Sequence, residues 1–360
     1  MQKNLKIAYY RKLFIGDCII ALDSIYAIKA LYPQAHLCVY TGDIGQKIFG
    51  AFSFIDEIIN IQHLHKNDII KSIDSKNFDY LILTQPNRLH TSIASKSNAK
   101  VIISFMMWHN IFRRFLASVF GGVLHSVFGV RLRSFRRVFY SRSFGGSPNY
   151  KRLLSLVRQI DSRIYDSHIK SIDFSPASFP FSHAHREFVE SKLAFLTSLP
   201  TRTLQTRTFK ILLNPYSNSC SHSLTLQGYA TLANALSKAL PNAQIIISTP
   251  PYAPSLPNLN TTNNIHIFSN NQDLYNLIEL VRQMDLVISP STGVIHIANN
   301  LAIPMLCLFS KTDLRLWLGK NMDKDMIITL KCPTKKLTQD KENQIIQQVL
   351  QKVLARCKNT

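Results

Sequence analysis

The chain has 360 residues, of which 46% are hydrophobic, and carries six cysteines and a formal net charge of +21. Its length exceeds that of one ordinary core, so we expect two domains, and its hydrophobic content excludes wholesale disorder. The cysteines include no C-x-x-C pair, which excludes the common zinc sites and favours a reducing compartment. No apolar segment follows the basic residues at the start, so we expect no signal peptide.

The first hundred residues alternate between short apolar runs and a helical pattern. The apolar runs predict strands at residues 6–10, 36–40, 57–61, 80–84 and 100–104. Between the first two runs, apolar side chains recur with helical spacing from residue 17 to residue 31. Strands separated by helices imply right-handed βαβ units, so we expect a doubly wound parallel sheet.

A basic block spans residues 81–160, which contain thirteen Lys and Arg and no Asp or Glu. Such a block favours partners that carry phosphate groups. Its longest uncharged run, 115–130, has sixteen residues, fewer than the roughly 20 needed to span a bilayer. We therefore predict a basic amphipathic insert at about 108–150 that lies on an anionic membrane surface. The arginines expected to contact phosphate are Arg113, Arg114, Arg133, Arg136 and Arg137.

This block has two other interpretations. A basic helical hairpin that covers the domain core would have the same composition. Nucleic-acid binding is not expected, because no known nucleic-acid module fits the surrounding sequence.

The strand pattern restarts at residue 209. Strands are predicted at 210–214, 244–248, 266–268, 285–289 and 305–309, and helices at 225–240, 273–284 and about 339–356. These elements divide the chain into a first domain (1–185), a linker (186–208), a second domain (209–335) and a C-terminal helix (336–360). Neither half contains G-x-G-x-x-G, G-x-x-x-x-G-K-[ST] or G-x-S-x-G, which argues against a dehydrogenase, a P-loop ATPase and an α/β-hydrolase.

A tract of small residues interrupts two buried strands near residue 291. Ser291, Thr292 and Gly293 follow a strand at the edge where open α/β sheets bind ligands. Gly293 allows close approach of a diphosphate, and the helix that begins there offers free N–H groups. His296, one turn later, could donate to a phosphate oxygen or pack under the helix. Ordinary capping by Ser291 or Thr292 is the alternative.

The loop after the first strand holds a second candidate site. Asp17 lies where the first helix opens, and it could serve as an N-cap or present a carboxylate to an acceptor hydroxyl. The helix dipole favours its ionised form, so desolvation on substrate binding would have to raise its basicity. Arg11 and Lys12 in the same loop could bind an anionic group. In the second half, Ser217 and His222 lie in a Ser- and Asn-rich loop that suits a phosphate or a helix cap.

Four tracts occur in an order that matches a known family. They are Arg11 with Ile15-Gly16-Asp17, then 27–35, then 54–59, and last Thr292-Gly293 with His296-Ile297-Ala298, Leu301, Pro304 and Leu308-Phe309. Together they resemble the bacterial lipopolysaccharide heptosyltransferases, glycosyltransferase family 9. The resemblance covers both halves of the chain, and the first and last tracts are its specific ones.

The resemblance implies a GT-B fold, in which two Rossmann-like doubly wound domains face each other across a cleft. It further implies an inverting, metal-independent transfer of heptose from ADP-heptose, without a cofactor. Asp17 would take the proton from the acceptor hydroxyl, and the helix at Thr292-Gly293, with His296, would stabilise the leaving nucleoside diphosphate. The acceptor would be the inner core on lipid A, at the cytoplasmic face of the inner membrane.

The chain departs from the family pattern on the donor side. Ser291 stands where the family usually has Asp, and His222 is offered where it usually has Lys or Arg. Residues 248–251, Ser-Thr-Pro-Pro, replace a Gly-rich turn with a nearby acidic residue. Two alternatives therefore stay open: a GT-B transferase that uses another sugar nucleotide, and a membrane-surface binding protein on a degenerate transferase scaffold.

Overall fold

The computed structural model describes residues 4–106, 134–139, 147–194, 208–217, 220–260 and 262–357, with the backbone alone at 106 and 134–139. The chain divides into two compact units, Met1–Ser178 and Phe179–Thr360. Each unit contains a six-stranded parallel sheet, and helices connect most of its consecutive strands. The predicted α/β class with two Rossmann-like doubly wound domains is confirmed.

The first unit has strand order β3-β2-β1-β4-β5-β6. Its strands are β1 (Lys6–Tyr10), β2 (His36–Thr41), β3 (Glu57–Asn60), β4 (Tyr80–Leu83), β5 (Val101–Met106) and β6 (Ser134–Phe139). Its helices are α1 (Ile15–Leu31), α2 (Asp43–Phe49), α3 (Lys66–Lys76), α4 (Arg88–Lys96), α5 (Asn149–Val157) and α6 (Ser162–His168), with 3₁₀ turns at Ile169–Ser171 and Ser175–Ala177. The strand order reverses between β1 and β4, and that switch point is where doubly wound sheets bind ligands.

The strands of this unit read as continuous apolar runs because helices cover both faces of the sheet. In β1, Ile7, Ala8 and Tyr9 are all fully buried. The hydroxyl of Tyr9 lies 2.6 Å from Ser24 Oγ of α1, so this buried polar group is satisfied across the sheet–helix interface. The start of the loop after β1 is therefore held in place by a well-packed strand.

Strand β6 lies inside the predicted membrane-surface insert and was not anticipated. It pairs in parallel with β5, with Arg136 opposite Ile103 and Arg137 opposite Ser104. The apolar pattern missed it because two arginines interrupt the run, which an edge strand with a single neighbour tolerates. Arg113, Arg114 and Arg133 lie outside the described residues.

The second unit repeats the design with strand order β12-β11-β10-β7-β8-β9. Its strands are β7 (Lys210–Leu213), β8 (Gln244–Thr249), β9 (Ile265–Ser269), β10 (Leu286–Pro290), β11 (Met305–Ser310) and β12 (Ile327–Leu330). Its helices are α7 (His183–Leu193), α8 (Leu226–Ala239), α9 (Leu274–Arg282), α10 (Gly293–Asn300), α11 (Lys311–Trp317) and α12 (Gln339–Cys357), with 3₁₀ turns at Lys324–Met326 and Thr334–Lys336. Its switch point lies between β7 and β10.

The division between the units falls earlier than the sequence predicted. The backbone N–H of Phe179 donates to Asn300 Oδ1 at 2.9 Å, and Arg282 Nη2 donates to the Phe179 carbonyl at 2.9 Å. Arg282 is in turn paired with Glu279, whose side chain is buried. These bonds attach the chain after 178 to the second unit, so residues 179–185 belong there and α7 occupies the start of the predicted linker.

Candidate functional site

In the first unit, Asp17 lies in the first turn of α1, beside the switch point. The N-cap of α1 is Phe14, and no side chain forms a capping hydrogen bond there. The interpretation of Asp17 as an N-cap is therefore wrong. The Asp17 side chain is 22% exposed, which leaves it partly open to solvent.

Arg11 holds Asp17 in place. It is buried, and its guanidinium donates to the Asp17 carbonyl oxygen from Nε at 3.2 Å and from Nη2 at 2.8 Å. Nη2 also lies 3.4 Å from Asp17 Oδ1, a weaker contact with the carboxylate itself. The sequence predicted that Arg11 could bind a substrate anion, but the structure turns its side chain inward towards this loop.

Burial raises the pKa of the Asp17 carboxyl, and the charge of Arg11 opposes the shift without cancelling it. A carboxylate with a raised pKa is a stronger base than one in water. The fold itself therefore supplies part of the desolvation that the sequence analysis assigned to substrate binding.

Two side chains near this edge were missed by the sequence analysis. Thr84 follows β4 and donates its hydroxyl to the Tyr10 carbonyl at 2.8 Å, across the switch point. His90 in α4 packs its ring 4.8 Å from the Tyr10 ring, and burial lowers its pKa. Lys12 also depresses the His90 pKa, and its Nζ donates to the Gln62 carbonyl at 3.3 Å. Thr84 and His90 both follow β4, the strand that pairs with β1. That position in the sequence is the signal that could have identified them.

In the second unit, a hydrogen-bond network joins the ends of β7 and β10 at the switch point. Asn214, just after β7, donates from Nδ2 to Ser289 Oγ at 2.9 Å and to Thr292 Oγ1 at 3.0 Å. Ser289 lies in β10, and its hydroxyl is also 3.0 Å from that of Thr292. Asn214 and Ser289 are both buried. The network fixes the point at which α10 begins.

The N-terminus of α10 carries no internal cap. Thr292 occupies the N-cap position, yet its side chain makes no capping hydrogen bond, because its hydroxyl is engaged with Asn214 and Ser289. The alternative of ordinary capping by Thr292 is therefore wrong. An uncapped helix N-terminus presents N–H groups and the positive end of the helix dipole to an anion.

Helix α8, which follows the other strand of the switch point, differs in this respect. The Thr225 hydroxyl accepts from the Gly228 N–H at 2.9 Å, and the Glu342 carboxylate accepts from the Thr225 N–H at 2.6 Å. A buried carboxylate already occupies the anion position at this terminus. Of the two helices, α10 is the one prepared for an external anion.

His296 lies within α10, one turn from its start, in a nearly dry environment. It is 5% exposed, and its ring packs 5.7 Å from the ring of Trp317 in α11. Burial lowers its pKa to about 4, so the imidazole is neutral at pH 7 and carries one N–H donor. Trp317, which no sequence pattern indicated, contacts the His296 ring from α11.

The other predicted donor residues lie around the same edge. Ser217 is exposed, and its hydroxyl accepts from the Cys220 N–H at 2.9 Å, so it shapes the loop after β7. The His222 Nδ1 lies 2.9 Å from Ser221 Oγ, in the same loop and ahead of the start of α8. Ser291 is half-buried between β10 and α10.

Two general features of the described residues bear on the class of protein. Within the described ranges, no group of three or more His, Cys, Asp and Glu has a geometry that could hold a metal ion. In those same ranges, no helix combines the length and the apolar character needed to cross a membrane.

Residues 227–346 match the sequence profile of glycosyltransferase family 9 (heptosyltransferase). The matched range includes Thr292, Gly293 and His296. The match covers a third of the chain and supports the predicted resemblance to this family and the prediction of a glycosyltransferase. No curated protein sequence is significantly similar to the chain.

Solved structures of this family are similar to the whole chain. A family 9 glycosyl transferase from Veillonella parvula covers 98% of both chains at 14% identity, with a TM-score of 0.70. The ADP-heptose lps heptosyltransferase II of E. coli covers 98% of this chain and 99% of its own at 13% identity, with a TM-score of 0.65. E. coli heptosyltransferase WaaC with ADP-2-deoxy-2-fluoro heptose has the same coverage at 14% identity and a TM-score of 0.60. These likenesses show the fold, which is of the GT-B type.

Proposed function

We propose that the chain is a glycosyltransferase of family 9 that transfers a heptose or a closely related sugar from ADP-heptose to the inner core of lipopolysaccharide. The observation that carries the proposal is the uncapped N-terminus of α10 at Thr292-Gly293, inside the range that matches the family profile. The similar E. coli enzyme whose structure contains ADP-2-deoxy-2-fluoro heptose supports the choice of donor.

On the donor side, α10 stabilises the leaving group. Breaking the bond between the anomeric carbon and the phosphate oxygen leaves additional negative charge on the nucleoside diphosphate. The N–H groups of the first turn and the helix dipole meet that charge, and the absence of a side chain at Gly293 permits close approach. Neutral His296 contributes a single N–H. In this proposal the helix takes the role that a metal ion has in other transferases.

On the acceptor side, Asp17 is the general base. It takes the proton of the acceptor hydroxyl as that oxygen attacks the anomeric carbon from the face opposite the diphosphate, which inverts the configuration. Arg11 acts as a positioning residue, because its guanidinium holds the Asp17 carbonyl and leaves the carboxylate only loosely paired. Because its pKa is raised, the Asp17 carboxylate is a stronger base than a carboxylate in water.

The proposed acceptor is anionic and attached to lipid, which accounts for the basic block at 81–160. We place the protein at the cytoplasmic face of the inner membrane, in peripheral contact with anionic lipid. Arg136 and Arg137 are the members of the predicted patch that fall on a described strand. Charge reversal of both should weaken binding to vesicles that contain anionic lipid. Reversal of Lys335 and Lys336, in a 3₁₀ turn of the second unit, is the matched control and should leave binding unchanged.

The donor is tested by thermal shift of the full chain with ADP, UDP, GDP, CMP and ADP-heptose. A ligand that binds only the folded state raises the melting temperature in proportion to the logarithm of its concentration. Selective stabilisation by ADP and ADP-heptose is the expected result. A selective response to another nucleotide would mean that the donor carries that nucleotide instead of ADP. If no nucleotide raises the melting temperature, the transferase assignment is refuted in favour of a scaffold without donor binding.

The base is tested by turnover on a lipid A–core acceptor. Asp17→Asn should lower the transfer rate by about 10²- to 10⁴-fold, the usual contribution of a general base, and should bind ADP as tightly as the wild type. Wild-type turnover by folded Asp17→Asn protein would refute the role of Asp17. Weaker ADP binding by this variant would instead indicate that the substitution disturbs the fold.

A further inference from the structure

The loop after β8 exposes an aromatic side chain to an unusual degree. Tyr252 is 99% exposed, the largest value among the big apolar side chains of the described residues. It follows the carboxyl end of β8, the edge of the sheet that also carries Thr292 and Asn214. Both faces of this ring are therefore available to a ligand bound at the same edge of the sheet.

The backbone holds Tyr252 in a conformation that favours glycine. The N–H of Ala253 donates to the Pro250 carbonyl at 3.2 Å, which closes a tight turn with Pro251 and Tyr252 as its central residues. Tyr252 has a φ of +63°. Proline at the second position and a positive φ at the third are typical of a type II turn, whose third position is usually glycine. A bulky residue there is strained, and such strain persists where the side chain has a use.

A second tyrosine fixes this turn to the sheet. The Tyr216 hydroxyl donates to the Pro254 carbonyl at 2.6 Å, and Tyr216 itself packs against the core of the second unit. Tyr216 lies in the loop after β7, next to Asn214 of the switch-point network. The loops after β7 and β8 are thereby joined, so the position of the Tyr252 backbone is set relative to the phosphate site.

The sheet order sets the distance between Tyr252 and the phosphate site. Strand β7 lies between β8 and β10, so the loop that carries Tyr252 is two strand spacings, or about 10 Å, from the start of α10. A nucleoside diphosphate bound with its phosphates at Thr292-Gly293 would lie across β7 with its base over the loop after β8.

We infer that Tyr252 is the residue on which the nucleobase of the sugar-nucleotide donor stacks. This inference rests on the proposed function and extends it to the recognition of the base. The loop 248–257 contains no acidic residue that could accept from ribose hydroxyls. Recognition in this chain instead uses a ring face, which binds any base but gains more from the larger surface of a purine.

The test compares binding of ADP, UDP and inorganic pyrophosphate to the full chain by calorimetry. Tyr252→Gly is the informative variant, because glycine relieves the positive φ and should leave the melting temperature of the unliganded protein unchanged or higher. We expect it to bind ADP about tenfold more weakly, within the range seen when a stacked aromatic is removed, and UDP less weakened than ADP. Pyrophosphate affinity should not change.

Tyr252→Phe is the matched control and should bind ADP like the wild type, since the ring face is retained. Equal ADP affinity for wild type and Tyr252→Gly overturns the inference while the phosphate site stands. A fall in melting temperature with loss of pyrophosphate as well as ADP also overturns it, because Tyr252 would then support the loop. If the wild type binds neither ADP nor UDP, both the proposed function and this inference are refuted.

Discussion

Removing the buried imidazole of His296 should change how the stability of the protein depends on pH. The pKa of His296 is lowered from 6.5 to about 4 by burial, so folding favours the neutral ring. A group of this kind contributes stability that is fully present above pH 6.5. The contribution is lost as the pH falls towards 4, because the unfolded chain binds the proton first.

The size of the effect follows from the shift. Each pH unit between the two pKa values changes the free energy of unfolding by about 1.4 kcal/mol, so the wild type should lose about 3 kcal/mol between pH 7 and pH 4 through this one residue. His296→Phe keeps an aromatic ring against Trp317 and cannot titrate. Its free energy of unfolding should therefore fall less steeply with acid.

The measurement is urea unfolding at pH 7, 5.5 and 4, followed by the fluorescence of Trp317. The chain contains two tryptophans, so a Trp108→Phe background makes Trp317 the sole reporter, and Trp317 touches the ring in question. His183→Phe is a matched control, since His183 is exposed in the same unit. Parallel pH profiles for wild type and His296→Phe would refute the reasoning, because the ring would then be solvated or charged in the folded protein.

Three further substitutions test the geometry of the two sites. Asn214→Ala leaves two hydroxyls without their donor and should cost about 1–3 kcal/mol of stability; an unchanged urea midpoint would show that the network is dispensable. Gly228→Ala, although alanine favours helices, should destabilise by about 1–3 kcal/mol, because its Cβ would lie 2.3 Å from Glu342 Oε1. A higher melting temperature would contradict this expectation. Asp17→Asn should raise the melting temperature at pH 7, since burial disfavours the ionised carboxyl, and the gain should vanish as the pH falls through the raised pKa. An equal gain at acid pH would argue against that cause.

The two sites differ in how far the sequence could predict them. The position of Thr292-Gly293 after an apolar run predicts a ligand-binding tract, and in the structure this tract begins a helix beside the switch point. The sequence could not distinguish an N-cap from an open helix end, because that depends on where the Thr292 hydroxyl points. Asn214, 78 residues away in the chain, sets the direction of the Thr292 hydroxyl because its side-chain amide donates a hydrogen bond to that hydroxyl.

Asp17 illustrates the same limit. The sequence placed it at the start of the first helix and in the matching family tract, but its environment depends on Arg11 and on the depth of the loop. Burial, not the helix dipole, is the main cause of its pKa shift. The balance between desolvation and one nearby charge is a property of the packed structure.

The sequence alone determined the alternation of strands and helices, because apolar runs and helical spacing are local and must match the faces they bury. It also indicated the ligand-binding edge, because parallel strands bring their carboxyl ends together. It did not indicate β6 and β12, whose short or charge-interrupted runs depend on the neighbouring strand for their place. Only the tertiary structure decided that Glu342 closes the start of α8 while α10 stays open, and that Tyr252 faces water on a strained turn. Those outcomes depend on contacts between residues far apart in the chain, which local patterns do not encode.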